Sequence, residues 1–356
     1  MSSRLRKLRT RFVKFSRFVS GHDVYSSCIT KEKEILKMKT IPIFFASNDR
    51  YVPYLDVAIL SIIEHASKDN KYEITILKSD ISKKNQEKLK KHNSDNINID
   101  FFDVKEILEP VRKTLPDMFY YTLAAYYRLF IETAFPQYDK VIYLDCDVIL
   151  QTDIAELYDQ EIGDNLIAGV CEQNTWRNPE FKYYVDNMLG IAPETYFNSG
   201  VILMNLKEFR KFGVQKRFLN MLTKYNFDCL APDQEYLNVI CHNRVKYLPN
   251  GWNKQSFPEA PEGGLKICHY ALANKPWHYA DTINGEYFWQ YAKSSEFYNE
   301  ILTEFNSYTE EDKRRDYEMF LNILAGIERL KTSERTFKKL WFDKNLGLLW
   351  KNQATD

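Results

Sequence analysis

Apolar positions along the chain fall into short runs that alternate with helically spaced stretches. Residues 41–46 (Ile-Pro-Ile-Phe-Phe-Ala) make a run of strand length. Leu55, Ala58, Ile59, Ile62, Ile63 and Ala66 then recur at the spacing of one buried helix face. Residues 72–77 read as a strand, 82–92 as a helix and 97–102 as a strand. Residues 124–135 read as another helix, and residues 141–144 as a strand buried on both faces. This succession predicts an α/β fold, with a mostly parallel sheet covered by helices on both sides. Beyond it, residues 166–171, 197–206 and 245–248 read as strands, and from about residue 285 the pattern is helical. The expected organisation is an N-terminal arm (1–40), one α/β domain (41–280) and a helical C-terminal region (281–356).

Composition narrows the class. At 44% hydrophobic and 28% charged residues, the 356-residue chain has a globular balance rather than that of a disordered one. Its 12 Gly and 12 Pro leave little room for low-complexity segments. Cys28, Cys146, Cys171, Cys229, Cys241 and Cys268 are scattered, with no CxxC pair, and read as reduced thiols of a cytosolic protein. No apolar run approaches the ~18 residues that span a bilayer. The basic N-terminus lacks the continuous apolar stretch of a secretory signal.

Charge changes the picture of the ends. The 49 basic and 49 acidic residues cancel overall, yet residues 1–20 carry seven bases and no acid. Leu5, Leu8, Phe12, Phe15 and Val19 form a narrow apolar stripe on that arm if it is helical. Such a basic amphipathic helix can lie on an anionic membrane. Residues 328–351 carry a net +4, with Leu340, Trp341, Phe342, Leu346, Leu348, Leu349 and Trp350 among the bases. That composition suits an interfacial anchor, and equally a cap on the core's last helix. The expected location is cytoplasmic, peripheral on the inner face of the cell membrane. The bases have no aromatic stacking platform beside them, so nucleic acid is not an expected partner.

Candidate chemistry gathers just past the strands, where ligands sit in open α/β sheets. Residues 141–147 (Val-Ile-Tyr-Leu-Asp-Cys-Asp) end a buried strand with Asp145 and Asp147 two apart, on one side of extended chain. Two carboxylates so close repel unless a cation lies between them, and Mn²⁺ or Mg²⁺ would relieve the conflict and imply a phosphate-bearing ligand. DxD alone also occurs in solvated loops. His269 ends a short apolar strand, with Lys275 six residues on: an imidazole suited to Mn²⁺ or Zn²⁺ and an ammonium suited to phosphate, although taken singly they also read as a core histidine and a solvated lysine. Asn198 and Ser199 enter a buried strand, where Asn needs partners that sugar hydroxyls or an Asx turn would supply. Asp233 stands at a helix start and also suits a first-turn acid.

These segments together resemble glycosyltransferase family 8, the group that includes glycogenin and bacterial lipopolysaccharide galactosyl- and glucosyltransferases. Five ordered motifs within about residues 41–280 carry the resemblance: FFASNDRYVPYL, YYRL, YLDCD, YFNSGVILMNL with PDQ, and HYALANKPW. The resemblance implies a nucleotide-sugar-binding domain of the GT-A type that uses Mn²⁺ (or Mg²⁺) and a UDP-sugar and retains anomeric configuration. It gives Asp145, Asp147 and His269 the role of metal ligands and Lys275 that of the diphosphate lysine. Ala46 and Tyr51 match the uridine site, with the Tyr51 ring on uracil. Arg128, Asn198, Asp233 and Gln234 fall on the donor sugar, with Ser199 a further donor-binding candidate; Asp233 and Gln234 are the expected catalytic residues, Gln234 near the sugar's reacting face.

The first loop reads Ser47-Asn48-Asp49-Arg50 where the family commonly has acidic residues followed by Asn, which moves the uracil contacts toward Asp49, with Asn48 a further donor-binding candidate. Leu272 stands where the family usually has Gly. The implied activity is transfer of glucose or galactose from a UDP-sugar to a glycan hydroxyl. Basic aromatic ends point to a lipid-linked acceptor such as lipopolysaccharide. The rival readings are a metal-dependent UDP-sugar hydrolase and a non-catalytic UDP-sugar-binding membrane scaffold.

Overall fold

The computed structural model describes residues 38–78, 80–105 and 126–343. The basic arm of residues 1–20, positions 124–125 of the expected helix and the tail beyond residue 343 lie outside the described residues. Among the described residues, seven strands form one sheet in the order β3-β2-β1-β4-β7-β6-β8. They are β1 (Lys39–Ser47), β2 (Asn70–Lys78), β3 (Ile97–Asp103), β4 (Lys140–Leu144), β6 (Ile167–Cys171), β7 (Phe197–Asn205) and β8 (Val245–Tyr247). A smaller sheet, β5-β10-β9, holds β5 (Val148–Leu150), β9 (Lys254–Gln255) and β10 (Ile267–His269).

Burial explains the order. In β1, residues 41–45 are all buried, and in β7 all nine are, so these runs occupy interior positions. At the edge, β3 alternates buried Ile97 and Ile99 with exposed Asn98 and Asp100. Central side chains divide by parity. Ile43, Phe45, Ile142, Leu144, Val201 and Leu203 enter one core, and Phe44, Val141, Tyr143, Ile202 and Met204 the other. The first core lies under α1 (Val52–His65), and the second under α3 (Leu206–Phe212), α4 (Val214–Tyr225) and α5 (Pro232–Ile240). Between β2 and β3, α2 (Lys83–Lys90) starts at Ser82, whose hydroxyl accepts from Asn85 N at 3.3 Å.

Pairing is parallel for β2–β3, β1–β4 and β6–β8, while β7 runs antiparallel to both β4 and β6. The mostly parallel expectation holds, and the reversed strand shapes the site. Because β7 runs against β4, its first residues meet the end of β4. Leu144 lies opposite Val201, and Asp145 N donates to Gly200 O at 2.7 Å.

Three expectations are refined. The stretch expected as one helix to residue 135 is a 3-10 turn (Tyr127–Phe130) followed by one α-turn (Ile131–Ala134). Its first part, residues 127–130, is buried all round, so no helical face had to be kept there. The strands β5 and β9 had no signal, being too short to show a period. In the tail, Phe337 stacks on Phe227 at 4.1 Å, and Trp341 is 6% exposed against Tyr225. Trp341 therefore caps the core, which is the second of its two readings. Leu346, Leu348, Leu349 and Trp350 lie outside the described residues.

The helical C-terminal region comprises α6 (Gly285–Ala292), α7 (Tyr298–Ser307) and α8 (Glu310–Leu330). Phe288, Tyr291, Ala292 and Ile301 join the first core. Thr309 and Asp312 form a reciprocal cap at the start of α8. No helix among the described residues is long and apolar enough to cross a membrane.

Candidate active site

Asp145 follows β4, Asp147 precedes β5, and His269 ends β10. Since β10 pairs with β5, His269 lies opposite Val148, and Tyr270 N donates to Asp147 O at 2.9 Å. One ligand atom from each of Asp145, Asp147 and His269 falls within 4.8 Å of the others. His269 Nε2 is 3.3 Å from Asp147 Oδ1 and 3.9 Å from Asp145 Oδ2.

Two devices hold this cluster in shape. Asn253 Oδ1 lies 2.8 Å from His269 Nδ1, where it accepts that N–H and turns Nε2 toward the carboxylates. Asn253 Nδ2 in turn donates to Asn198 Oδ1 at 2.9 Å, and Asn198 Nδ2 to Glu172 Oε2 at 2.7 Å. Gly200 supplies the room. A Cβ there would lie 2.5 Å from Asp145 Oδ2 and 2.5 Å from His269 Cε1.

The charges of the cluster act on one another. Burial opposes ionisation of Asp147, but Lys275 and His269 outweigh it and hold its carboxyl well below the ordinary range. Burial likewise disfavours a charged His269, and Asp147 overrides it and raises the imidazole. Lys275 donates to Asp147 Oδ2 and to Tyr270 O. Two carboxylates and one imidazole on a glycine-lined floor are a donor set that fits a divalent cation.

Beside the cluster, Arg128 is buried and lies over the Tyr143 ring at 4.1 Å. It donates to Ser199 O and, at 3.0 Å, to Asp145 Oδ1, with Asp233 Oδ2 at 3.4 Å. Burial pushes the Asp233 carboxyl up, Arg128 opposes this, and Asp145 adds to it. Gln234 is fixed at both ends of its amide: Oε1 accepts from Ser199 N at 2.9 Å, and Nε2 donates to Tyr196 OH at 3.0 Å. Arg128, Asp145, Ser199, Asp233 and Gln234 thus form one contiguous polar patch, which shares Asp145 with the ligand cluster.

The first loop is a more local matter. Asn48 Oδ1 accepts from Tyr51 N at 3.1 Å. Asp49 Oδ1 accepts from Ser82 N at 2.9 Å and Asn85 Nδ2 at 2.8 Å. These oxygens hold turns together. Ala46 O accepts from Cys146 Sγ at 3.2 Å, which ties the end of β1 to the DxD. Tyr51 is 38% exposed, with its edge on Tyr54. Sequence reasoning missed Asn253, Glu172 and Gly200, none of which has a local signal.

Leu272 adopts φ 61° and is 55% exposed. The backbone therefore has the left-handed form that glycine takes easily, although the side chain is leucine. Leu272→Gly is expected to raise stability by about 1 kcal/mol, since the strained residue gives nothing back in packing. A urea denaturation midpoint that is unchanged or lower would contradict this.

The model of glycosyl transferase family 8 matches residues 42–281. The lipopolysaccharide 1,2-glucosyltransferase of Escherichia coli is 25% identical over 287 residues, covering 74% of this chain and 82% of that protein. The lipopolysaccharide 1,3-galactosyltransferase of Salmonella typhimurium is 27% identical over 182 residues, 47% of this chain and 52% of that one. Among solved structures, the galactosyltransferase LgtC with donor and acceptor sugar analogues superposes with a TM-score of 0.59 at 24% identity. The match covers 72% of this chain and 96% of LgtC, a likeness of fold.

Proposed function

Because the chain belongs to glycosyltransferase family 8, we propose that it moves a hexose, glucose or galactose, from a UDP-sugar to a hydroxyl of a glycan acceptor. The acceptor is proposed to be a lipid-linked surface oligosaccharide such as lipopolysaccharide, met by a peripheral enzyme at the inner face of the cell membrane. One observation carries this reading: Asp145, Asp147 and His269 converge beside Lys275. Related proteins named as lipopolysaccharide glucosyl- and galactosyltransferases support the sugar and acceptor class.

Asp145, Asp147 and His269 would hold Mn²⁺, which when bound supplies positive charge for the diphosphate. Lys275 adds its ammonium to the same leaving group. Tyr51 offers its exposed ring to uracil. Asp233 and Gln234 present a carboxylate and an oriented amide where positive charge develops at the anomeric carbon. Arg128 and Asn198 hold sugar hydroxyls, and Ser199 keeps Gln234 in place. The acceptor hydroxyl attacks from the face that the phosphate leaves, so the new C–O bond retains configuration. The bond from the anomeric carbon to the β-phosphate oxygen breaks, and that phosphate takes the hydroxyl proton.

A panel of UDP-hexoses with Mn²⁺ and de-acylated lipopolysaccharide acceptors tests this, reading UDP release and product anomer by NMR. Acceptor-dependent release from UDP-glucose or UDP-galactose with a retained α-linkage is expected. Release that ignores acceptor would favour a hydrolase, and binding of UDP without release a scaffold.

A further inference from the structure

The helices after residue 281 lie outside the segment matched to the family, yet they grip two loops of the proposed donor site. Tyr51 rests its ring edge on Tyr54 at 5.7 Å, and Tyr54 stacks face to face on Trp277 at 3.8 Å. Trp277 follows Lys275 by two residues, and the N–H groups of His278 and Tyr279 donate to Lys275 O at 3.0 and 2.9 Å. The base loop and the diphosphate loop therefore share one aromatic seam.

Glu304 of α7 closes that seam from outside. One carboxylate oxygen accepts from Tyr54 OH, and the other lies 2.9 Å from His278 Nε2. Tyr308 stacks on the His278 ring at 3.8 Å and 8°. Asp316 of α8 accepts from both Tyr308 OH at 2.6 Å and Tyr279 OH at 2.8 Å. His278 Nδ1 is buried without a partner among the described residues, so the ring's only polar bond is the one to Glu304. Two charge-assisted bonds on one carboxylate join the first turn of α1 to the loop after β10, more than 200 residues apart in the chain.

We propose that Glu304 is a positioning residue, which through Tyr54 and His278 fixes the separation of Tyr51 and Lys275 and so sets affinity for the nucleoside diphosphate of the donor. This rests on Tyr51 and Lys275 as donor contacts. Neither loop loses its own local bonds when Glu304 changes; only their mutual placement relaxes. The consequence falls on binding, which needs both loops at once, rather than on groups at the anomeric carbon.

The test compares wild type, Glu304→Gln, Tyr54→Phe and Ile301→Val, by calorimetric titration with UDP and Mn²⁺ and by donor kinetics. Glu304→Gln is expected to weaken UDP binding and raise donor KM by about tenfold, with kcat within twofold. Tyr54→Phe keeps the stack on Trp277 but loses one bond to Glu304, and is expected to shift the same way by less. It keeps the test open should Glu304→Gln fold poorly. Ile301→Val loosens the same helix in the core and is expected to lower the melting temperature with UDP affinity unchanged. UDP affinity in Glu304→Gln and Tyr54→Phe equal to wild type would overturn the proposal, as would a fall in kcat at constant KM. A wild type that binds no UDP would instead overturn the donor-site reading itself.

Discussion

Asp147→Asn is expected to lower turnover of a UDP-hexose by about a thousandfold, the scale of losing several kcal/mol of leaving-group stabilisation. The reason lies in how this carboxylate is shared. One oxygen faces His269 Nε2 at 3.3 Å, and the other accepts from Lys275. The amide keeps the shape but not the charge that makes the point attractive to a divalent cation. Its oxygen can still accept from Lys275 and its N–H can donate to the Nε2 lone pair of His269, so the local contacts survive while the negative charge is lost and the Nε2 lone pair is occupied. The substitution is isosteric and lies at the end of a strand rather than within a core, so the fold is expected to survive. Circular dichroism and melting check that, and UDP release with saturating Mn²⁺ gives the rate. Turnover within a few fold of wild type would remove Asp147 from the metal site.

Gly200→Ala is expected to weaken Mn²⁺ binding by about a hundredfold and to reduce turnover accordingly. Ordinarily alanine is the better strand residue, so on propensity alone the change should help slightly. The surroundings reverse that. The new methyl would sit 2.5 Å from both Asp145 Oδ2 and His269 Cε1. Neither group can step aside cheaply, because Arg128 holds Asp145 and Asn253 holds His269. The clash therefore resolves by parting the two ligands. Mn²⁺ titration by calorimetry reads the affinity directly, and affinity equal to wild type would show that the cluster has slack. Unlike Asp147→Asn, this variant leaves all three ligands chemically intact, so geometry is tested apart from charge.

Much of the fold was visible in the chain because its central strands are buried on both faces. Residues 41–45 and 141–144 could not be anything but interior runs of an α/β sheet. The convergence of Asp145 and Asp147 followed from the alternation of side chains in extended chain, with no knowledge of the partner strands. His269 and Lys275 were less legible. Their residue types suit a metal and a phosphate, but only likeness to a known family joined them to residues more than 120 positions earlier.

The supports of the site had no local signature at all. Asn253 orients His269 across 16 residues, Glu172 holds Asn198 across 26, and Gly200 matters for what is absent from it. Contacts of this kind depend on which strands become neighbours. Trp341 shows the same limit from the other side. A tryptophan among lysines has the composition of a membrane anchor, and whether it turns inward depends on space beside Tyr225 that composition does not describe.

Assembly of the site from β4, β7 and β10 also governs when it is completed during synthesis. Asp145 and Asp147 leave the ribosome early, but the glycine floor arrives only with residue 200 and the imidazole only with residue 269. Until then the two carboxylates face each other with neither His269 nor Lys275 nearby. A nascent chain that ends before His269 lacks one of the three candidate metal ligands, and one without α7 has no bond from Glu304 to Tyr54 or His278. Chain growth itself therefore orders the site's completion, ligands first and the Glu304 contacts last, and a ribosome-stalled fragment ending before His269 is expected to bind neither Mn²⁺ nor UDP.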